Sequence, residues 1–567
     1  MKKKRYILLL SAVLTLGISS CSDFLDARPA DRIPQEDFWS SAQNVRAFVA
    51  DVYTYTFPTV YEGAGPFDEG MSDNSYMVWE GWYTNIKLVA NGTQTSYSSV
   101  PYNIWSRSYK NIRKCFQFLE NIDITQKMDE AEKEKLTGQI RFLLAYSYNK
   151  LAFFFGDVPL ITAVLTVEES KEVPRSPKAD IINFIHEQLD LSIKELANHT
   201  MIRGEATVNA VKALKARAYL LHNDYENLLK VTSDLKGKHT LYTAGETPYS
   251  DLFNGKAEDV DEVIFAIQMM HSAGSINTGH TFNQAFFLKG MSGGDALAAL
   301  TPTGNMIDSY PMSDGRLIDE QGSTYNPRDP YKDRDPRFYE SILYPTSMLL
   351  SVVDGNLKEV YYDPEDSRTN SQQVYSAKEP SATGYMWKKY VDWSDHAMIQ
   401  ITDCGNDQII FRYADVLLMH AEALLETKGL AAKTEVVDII NQLRSRVDGG
   451  LVHQANYTDV ESLRYLLRNE RRVELANEGL RYYDIIRWRI AEDSPMKDRH
   501  GLKGTVYGAY MRLDGIGKDD RTVMVDGVPR RYVSNNLFDP GKHYLQPIPQ
   551  KEIDLANEGV LTQNPKW

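Results

Sequence analysis

The sequence predicts a mainly α protein in which a scaffold of stacked helical pairs carries a loop-rich lobe containing short strands. Three observations lead there. Apolar residues recur with a helical period over long stretches at both ends of the chain. Small residues alternate with large ones in those stretches, which lets paired helices approach closely and stack into one continuous core. Between them, from about 239 to 407, the period fails and Gly, Pro, Ser, Asp and aromatic residues take over.

Taken in chain order, NVRAFVADVYTYTF, EKLTGQIRFLLAYSYNKLAFFF and ADIINFIHEQLDLSIKELA each carry one apolar stripe and predict three helices. The run from Val208 to Leu235 reads as two helices joined by His222-Asn223-Asp224. Its spacing of Ala213, Ala216, Ala218 and Tyr225 resembles a tetratricopeptide helical hairpin, without that repeat's Trp and Leu-Gly elements. In the middle region Glu262-Val263-Ile264-Phe265-Ala266-Ile267 reads as a short strand. FRYADVLLMHAEALLE then places Ala414, Leu417, Leu418, Ala421, Leu424 and Leu425 on one helical face, and TEVVDIINQLRSRV adds another stripe. A smaller break in the pattern, 63–102, holds FDEGMSDNSYMVWEGWYTNIKLVANGTQTSYSSV. Long loops inside a compact unit are usually functional. The predicted organisation is 21–238 helical, 239–407 lobe and 408–567 helical with a tail, together forming one unit over 21–567.

The first residues form an address. Lys2, Lys3, Lys4 and Arg5 precede an apolar run from Tyr6 to Ile18 that is too short to span a bilayer of ~30 Å. Residues 1–20 therefore read as a signal peptide. Ile18-Ser19-Ser20-Cys21 resembles a bacterial lipobox, which implies acylation of Cys21 and a stable lipid anchor. Removing residues 1–20 takes away four basic groups and no acidic ones, so the net charge falls from −14 to −18. An anionic leaflet does not attract such a chain, and the acyl chains must hold it. The same acidity argues against nucleic acid, whose phosphates need a basic face. Of the two remaining cysteines, Cys115 lies in an apolar-periodic run, and a bridge to Cys404 is left open by the sequence.

Several segments together resemble the SusD/RagB family of nutrient-capturing outer-membrane lipoproteins. They are FRYADVLLMHAEALLE, LRNERRVELANEGLRYYDIIRW from Leu467 to Trp488, and the tail HYLQPIPQKEIDLANEGVLTQNPKW. Asp335-Pro336-Arg337-Phe338 and Met312-Ser313-Asp314-Gly315 fit as well. The resemblance implies tetratricopeptide-like helical pairs, a binding surface on the loop-rich lobe and no enzymatic activity. It also implies capture of oligo- or polysaccharide at the cell surface for a partner SusC-type TonB-dependent transporter.

Sugars present C–H-rich faces on which flat aromatic side chains stack, while polar neighbours orient the ring. With 11% aromatic residues, including 34 tyrosines and 8 tryptophans, the chain is rich in such groups. Trp79, Trp82 and Tyr83 sit in a polar stretch with Asp73, Asn74, Asn85 and Lys87, which is the mixture a stacking platform needs. The alternative is that Trp79 and Trp82, three apart, pack one helical face into the core. A second contribution is expected from Phe282, Phe286 and Phe287 on a glycine-flanked segment, with Tyr310 behind them. Tyr385, Trp387, Tyr390 and Trp393 read as packing between lobe and scaffold.

Glu470, Glu474 and Glu478 recur four apart with Arg471 and Arg472 between them, which suggests a structural ion-pair lattice. A glycosidase needs one carboxylic acid with a raised pKa, and neighbouring arginines do the opposite. The chain has no HExxH, Walker loop, GxSxG or complete EF-hand loop, so no catalytic residue, cofactor or metal is expected. Asp329, Asp333 and Asp335 read as turn residues with arginine partners. Two rival functions are a lipid-anchored glycoside hydrolase and a peptide-capturing uptake protein, because helical repeats often bind peptides.

Overall fold

The computed structural model describes residues 38–57, 65–78, 85–271, 279–286, 297–353, 356–362, 381–391, 403–493, 501–510 and 522–567. Its frame is a series of helices paired through small residues. The first six long helices are α1 (Ala42–Thr56), α2 (Ser99–Asn121), α3 (Glu130–Phe155), α4 (Lys178–Leu196), α5 (Val208–Leu221) and α6 (Tyr225–Leu235). After the lobe come α7 (Tyr413–Lys428), α8 (Lys433–Ser445), α9 (Val460–Glu474) and α10 (Arg481–Arg487).

Local chemistry sets where these helices begin and end. Asp129, Thr207 and Asp224 cap α3, α5 and α6 by accepting from backbone N–H groups of Glu132, Ala210 and Asn227. Asn223, in the left-handed region at φ 59°, turns the chain between α5 and α6 where the sequence places the break. Close approach is visible where α3 meets α4. A Cβ added to Gly138 would lie 2.7 Å from Leu196, and Ser192 donates to the Gly138 carbonyl at 2.6 Å. The predicted face of α7 is buried, but so are Asp415, His420 and Glu422 on its other faces. This helix runs through the middle of the stack, packed by α5, α6, α8 and α9.

The lobe is clasped at its two ends. Strand β2 (Val263–Ile267) pairs antiparallel with β4 (Gln408–Arg412), Val263 opposite Arg412 and Ile267 opposite Gln408. Within it, β3 (Leu300–Pro302) reaches back to β1 (Ser75–Met77), with Ser75 opposite Pro302 and Met77 opposite Leu300. Near the C-terminus β5 (Gly504–Tyr510), β6 (Thr522–Val525) and β7 (Val528–Asn536) form a three-stranded antiparallel sheet in the order β6-β7-β5. Cys115 is buried on α2, and no disulfide joins it to Cys404. Among the described residues no helix is long and apolar enough to cross a membrane.

Candidate functional site

The β1–β3 ladder joins described residues that precede and follow the two aromatic-rich stretches in sequence. Val78 continues β1 by donating to Ala299 at 2.8 Å, and Ala299 in turn donates to Ala285 at 2.7 Å. Leu297 donates to Gln284 at 2.8 Å. Val78, Gln284, Ala285, Leu297 and Ala299 therefore meet in one hydrogen-bonded corner. Trp79, Trp82, Tyr83 and Phe287 themselves lie outside the described residues, as do Cys21 and Trp393.

Beside this corner is a cavity of about 70 Å³ lined by Tyr76, Met77, Lys87, Asn91, Ser534 and Asn536, among others. Lys87 is half-buried in it, on the short helix Ile86–Ala90 that follows Asn85. Amide, hydroxyl and ammonium groups line it, but at about 70 Å³ it is well below the ~300–1,000 Å³ of small-molecule sites.

The remaining expected contact residues belong to the interior, which corrects their assignment. Phe282 and Phe286 have no exposed surface, and their rings pack on Phe67 at 5.7 and 6.1 Å. Tyr310 is equally buried, 5.6 Å from the Phe338 ring. The apolar spacing on the short helix Phe282–Phe286 turns both phenyl rings inward, so they support the corner from beneath and offer no stacking face. Asp73 and Asn74 are also fully enclosed. Asp73 accepts from Arg481 at 2.8 Å and pairs with Arg472 at 2.9 Å. Burial pushes its carboxyl up, but the two guanidinium groups outweigh this and hold it below its ordinary value. Asn74 accepts from Arg472 at 2.6 Å and donates to Glu69 at 2.6 Å. These two residues fasten the loop that leads into β1 onto α9 and α10.

Glu69 shows the opposite electrostatics. Burial drives its carboxyl up to about 7, against the N–H donors of Asn74, Asn477 and Gly479. A raised carboxyl is what a general acid needs, yet Glu69 has no solvent-exposed surface and so no route to a substrate.

The charged run is a buried lattice. Arg412 donates to Glu474 at 2.7 Å, to Glu478 at 2.6 and 2.9 Å and to Glu262 at 3.1 Å. Arg446 joins Glu262 and Glu474, while Arg337 bridges Asp335, Glu470 and Glu474. Burial alone would raise Glu474, but Arg446, Arg412 and Arg337 hold it well below the usual carboxylate range. One detail differs from the sequence reading. Helix α9 ends at Glu474, and Asn477 and Gly479 take left-handed φ of 58° and 75°, so Glu478 reaches the lattice from a turn. The lattice partners Arg337, Arg412, Arg446 and Glu262 were not singled out from sequence. Their signal was a charge embedded in apolar runs such as QIIFRYADVLL and EVIFAI.

Asp335 pairs with Arg337, as its context suggests, but it caps the short helix Pro336–Ser341 and does not sit in a turn. Among the described residues no group of three or more His, Cys, Asp or Glu side chains is placed to hold a metal. Tyr385, Trp387 and Tyr390 are buried, and the Trp387 indole donates to Ser75 at 2.9 Å. Trp387 thus ties the lobe to β1, while Tyr385 packs on Tyr331 and Tyr390 on Phe253 and Phe282.

Comparison with known proteins places these features in context. Residues 261–567 match the model of the SusD family, and residues 23–220 match a family described as starch-binding and associating with the outer membrane. A SusD-like protein of Formosa agariphila is 25% identical over 519 residues, covering 86% of this chain and 92% of that one. A SusD-like protein of Bacteroides fragilis superposes with a TM-score of 0.74 at 26% identity, over 95% of this chain and 100% of that one. A SusD-like carbohydrate-binding protein from the same species gives 0.75 at 25% identity, over 92% and 99%.

Proposed function

The chain belongs to the SusD family, and from that premise we propose that it is a lipid-anchored, cell-surface glycan-binding protein that delivers oligosaccharide to a SusC-type TonB-dependent transporter in the outer membrane. The observation that carries the reading is the β1–β3 corner. It joins Val78, Ala285 and Ala299, which stand next in sequence to the aromatic stretches, and this supports assigning Trp79, Trp82, Tyr83 and Phe287 as the stacking rings, with Asn85 and Lys87 as orienting groups. Starch binding in the family description and carbohydrate binding by a 25% identical neighbour support the ligand class.

Recognition is non-covalent and needs no catalytic group. The carboxylates of the lattice are enclosed, and Glu474 is held ionised by three arginines, so neither half of a hydrolytic pair is available there. Stacking supplies contact area at low entropic cost, and tethering next to a transporter raises the effective concentration of captured ligand. The lipid on Cys21 supplies that tether.

Affinity electrophoresis of the full chain against a panel of polysaccharides tests the reading. Retardation by at least one glycan is expected, lost in Trp82→Ala and kept in Trp488→Ala, whose indole is buried against Glu422. Release of reducing ends from the retarding glycan favours a hydrolase instead. Absence of retardation by every glycan favours peptide capture. Labelled palmitate incorporated into the chain and absent from Cys21→Ala tests the anchor.

A further inference from the structure

The ends of α3, α5 and α10 and the C-terminal tail line a cavity of about 670 Å³. That size lies within the ~300–1,000 Å³ of small-molecule sites. Its charges are unusual for a chain of net charge −14. Arg175, Lys178, Arg487 and Arg489 line it, against Asp157 as the one carboxylate.

Most of the local negative charge is already committed. Arg487 is neutralised within the protein by Glu422 and Asp484. Asp157 accepts the first backbone N–H of α4, from Lys178 at 2.8 Å, and so serves the helix terminus. The Arg175 guanidinium donates to neutral groups, the Asp157 and Thr562 carbonyls at 2.8 and 3.1 Å and the Asn564 side chain at 2.6 Å. The Arg489 guanidinium carbon sits over the Tyr544 ring, 3.8 Å from its centroid. Among the described residues none of Arg175, Lys178 and Arg489 forms an ion pair, so three cations face one carboxylate that is partly spent.

The backbone is shaped for the same place. Arg489 and Asn223, both lining the cavity, adopt left-handed φ of 58° and 59°. Asn tolerates that region, whereas Arg rarely enters it. The strained turn after α10 carries the Arg489 side chain onto Tyr544 at the cavity wall. A cation stacked on an aromatic ring keeps its N–H edges available to an oxyanion, while the ring offers an apolar face. Asn223 adds an amide at the rim.

We infer that this cavity is a binding site for a small anionic saccharide, whose carboxylate or sulfate group is held by Arg175, Lys178 and Arg489. The site is separate from the aromatic corner and does not rest on the function proposed for it. Isothermal titration calorimetry on the full chain in detergent, with glucuronate, galactose 6-sulfate, glucose and inorganic sulfate as probes, tests the inference. At least one anionic sugar should bind tenfold or more tightly than glucose, and the preference should shrink in high salt. Whichever of the two binds identifies the acidic group.

The double variant Lys178→Gln/Arg489→Gln should weaken that binding at least tenfold without lowering the melting temperature. Should the double variant melt lower, Lys178→Gln alone should still weaken binding severalfold. Glucose binding as tightly as both acidic sugars, no heat from either acidic sugar, or full affinity in the charge-neutralised variants overturns the inference. Inorganic sulfate binding as tightly as the sugars overturns the saccharide assignment.

Discussion

Replacing Arg412 with Met separates a lattice that holds the fold from one that merely decorates it. Arg412 is 1% exposed, and its side chain makes contacts with Glu262, Glu474 and Glu478 and with the Glu474 carbonyl. Methionine has similar length and no charge, so the substitution strands carboxylates without opening a large void. Glu474 keeps Arg446 and Arg337, Glu262 keeps Arg446, and Glu478 keeps Lys389. Removing one partner of a buried ion pair costs about 3–5 kcal/mol, because the other charge remains enclosed. With an unfolding entropy of ~2.1 cal/mol/K per residue, a cooperative unit of this size has about 1.2 kcal/mol/K, so the melting temperature should fall by about 3–4 °C. The control is Arg46→Met. Arg46 pairs with Glu132 at the surface with its side chain 54% exposed, and such pairs contribute ~1 kcal/mol or less. Differential scanning calorimetry of both variants at pH 7 reads the difference. Equal shifts, or an Arg412→Met midpoint within 1 °C of the parent, would refute the claim that the lattice fastens the lobe to the helices.

Three further outcomes follow from the geometry. Burial holds the His280 imidazole down at about 4, with Nε2 donating to the Asn406 carbonyl at 2.9 Å and Nδ1 accepting from Phe282 at 3.1 Å. Its folded pKa lies below the unfolded value of ~6.5, so about 3 kcal/mol of stability should be lost as pH falls from ~6.5 toward 4, with no His280 titration by NMR above pH 5. Glu69 carries the opposite sign. Its carboxyl sits at about 7, so its contribution is full below the unfolded value of ~4.3 and declines as pH rises through 7; carboxyl NMR should find its midpoint near neutrality. Gly479→Ala should lower stability by more than about 1 kcal/mol in urea unfolding, since φ is 75° and an added Cβ would overlap the Gly65 carbonyl. An Ala variant as stable as the parent contradicts that placement.

The helices were legible because one-sided apolar periodicity is a local signal. The break at His222-Asn223-Asp224 falls where α5 gives way to α6, and Val263–Ile267 is a strand as its β-branched run suggests. The interior of α7 was only half legible. Its apolar face is readable from spacing, but burial of Asp415 and Glu422 depends on Arg217, Arg471 and Arg487 arriving from distant helices. The aromatic candidates illustrate a sharper limit. Phe282 and Tyr310 stand in polar, glycine-rich surroundings like any exposed ring would, and only tertiary packing against Phe67 and Phe338 sends them inward. Asp73 and Asn74 looked like ligand contacts for the same reason, because their partners Arg472 and Arg481 lie some four hundred residues away.

The clasp formed by β2 and β4 has a consequence for how such a molecule diversifies. Because the chain leaves the helices for the lobe and returns to them through neighbouring antiparallel strands, loops between them can lengthen or shorten while those two chain crossings stay put. Substitutions there then leave the helical frame beneath as it is.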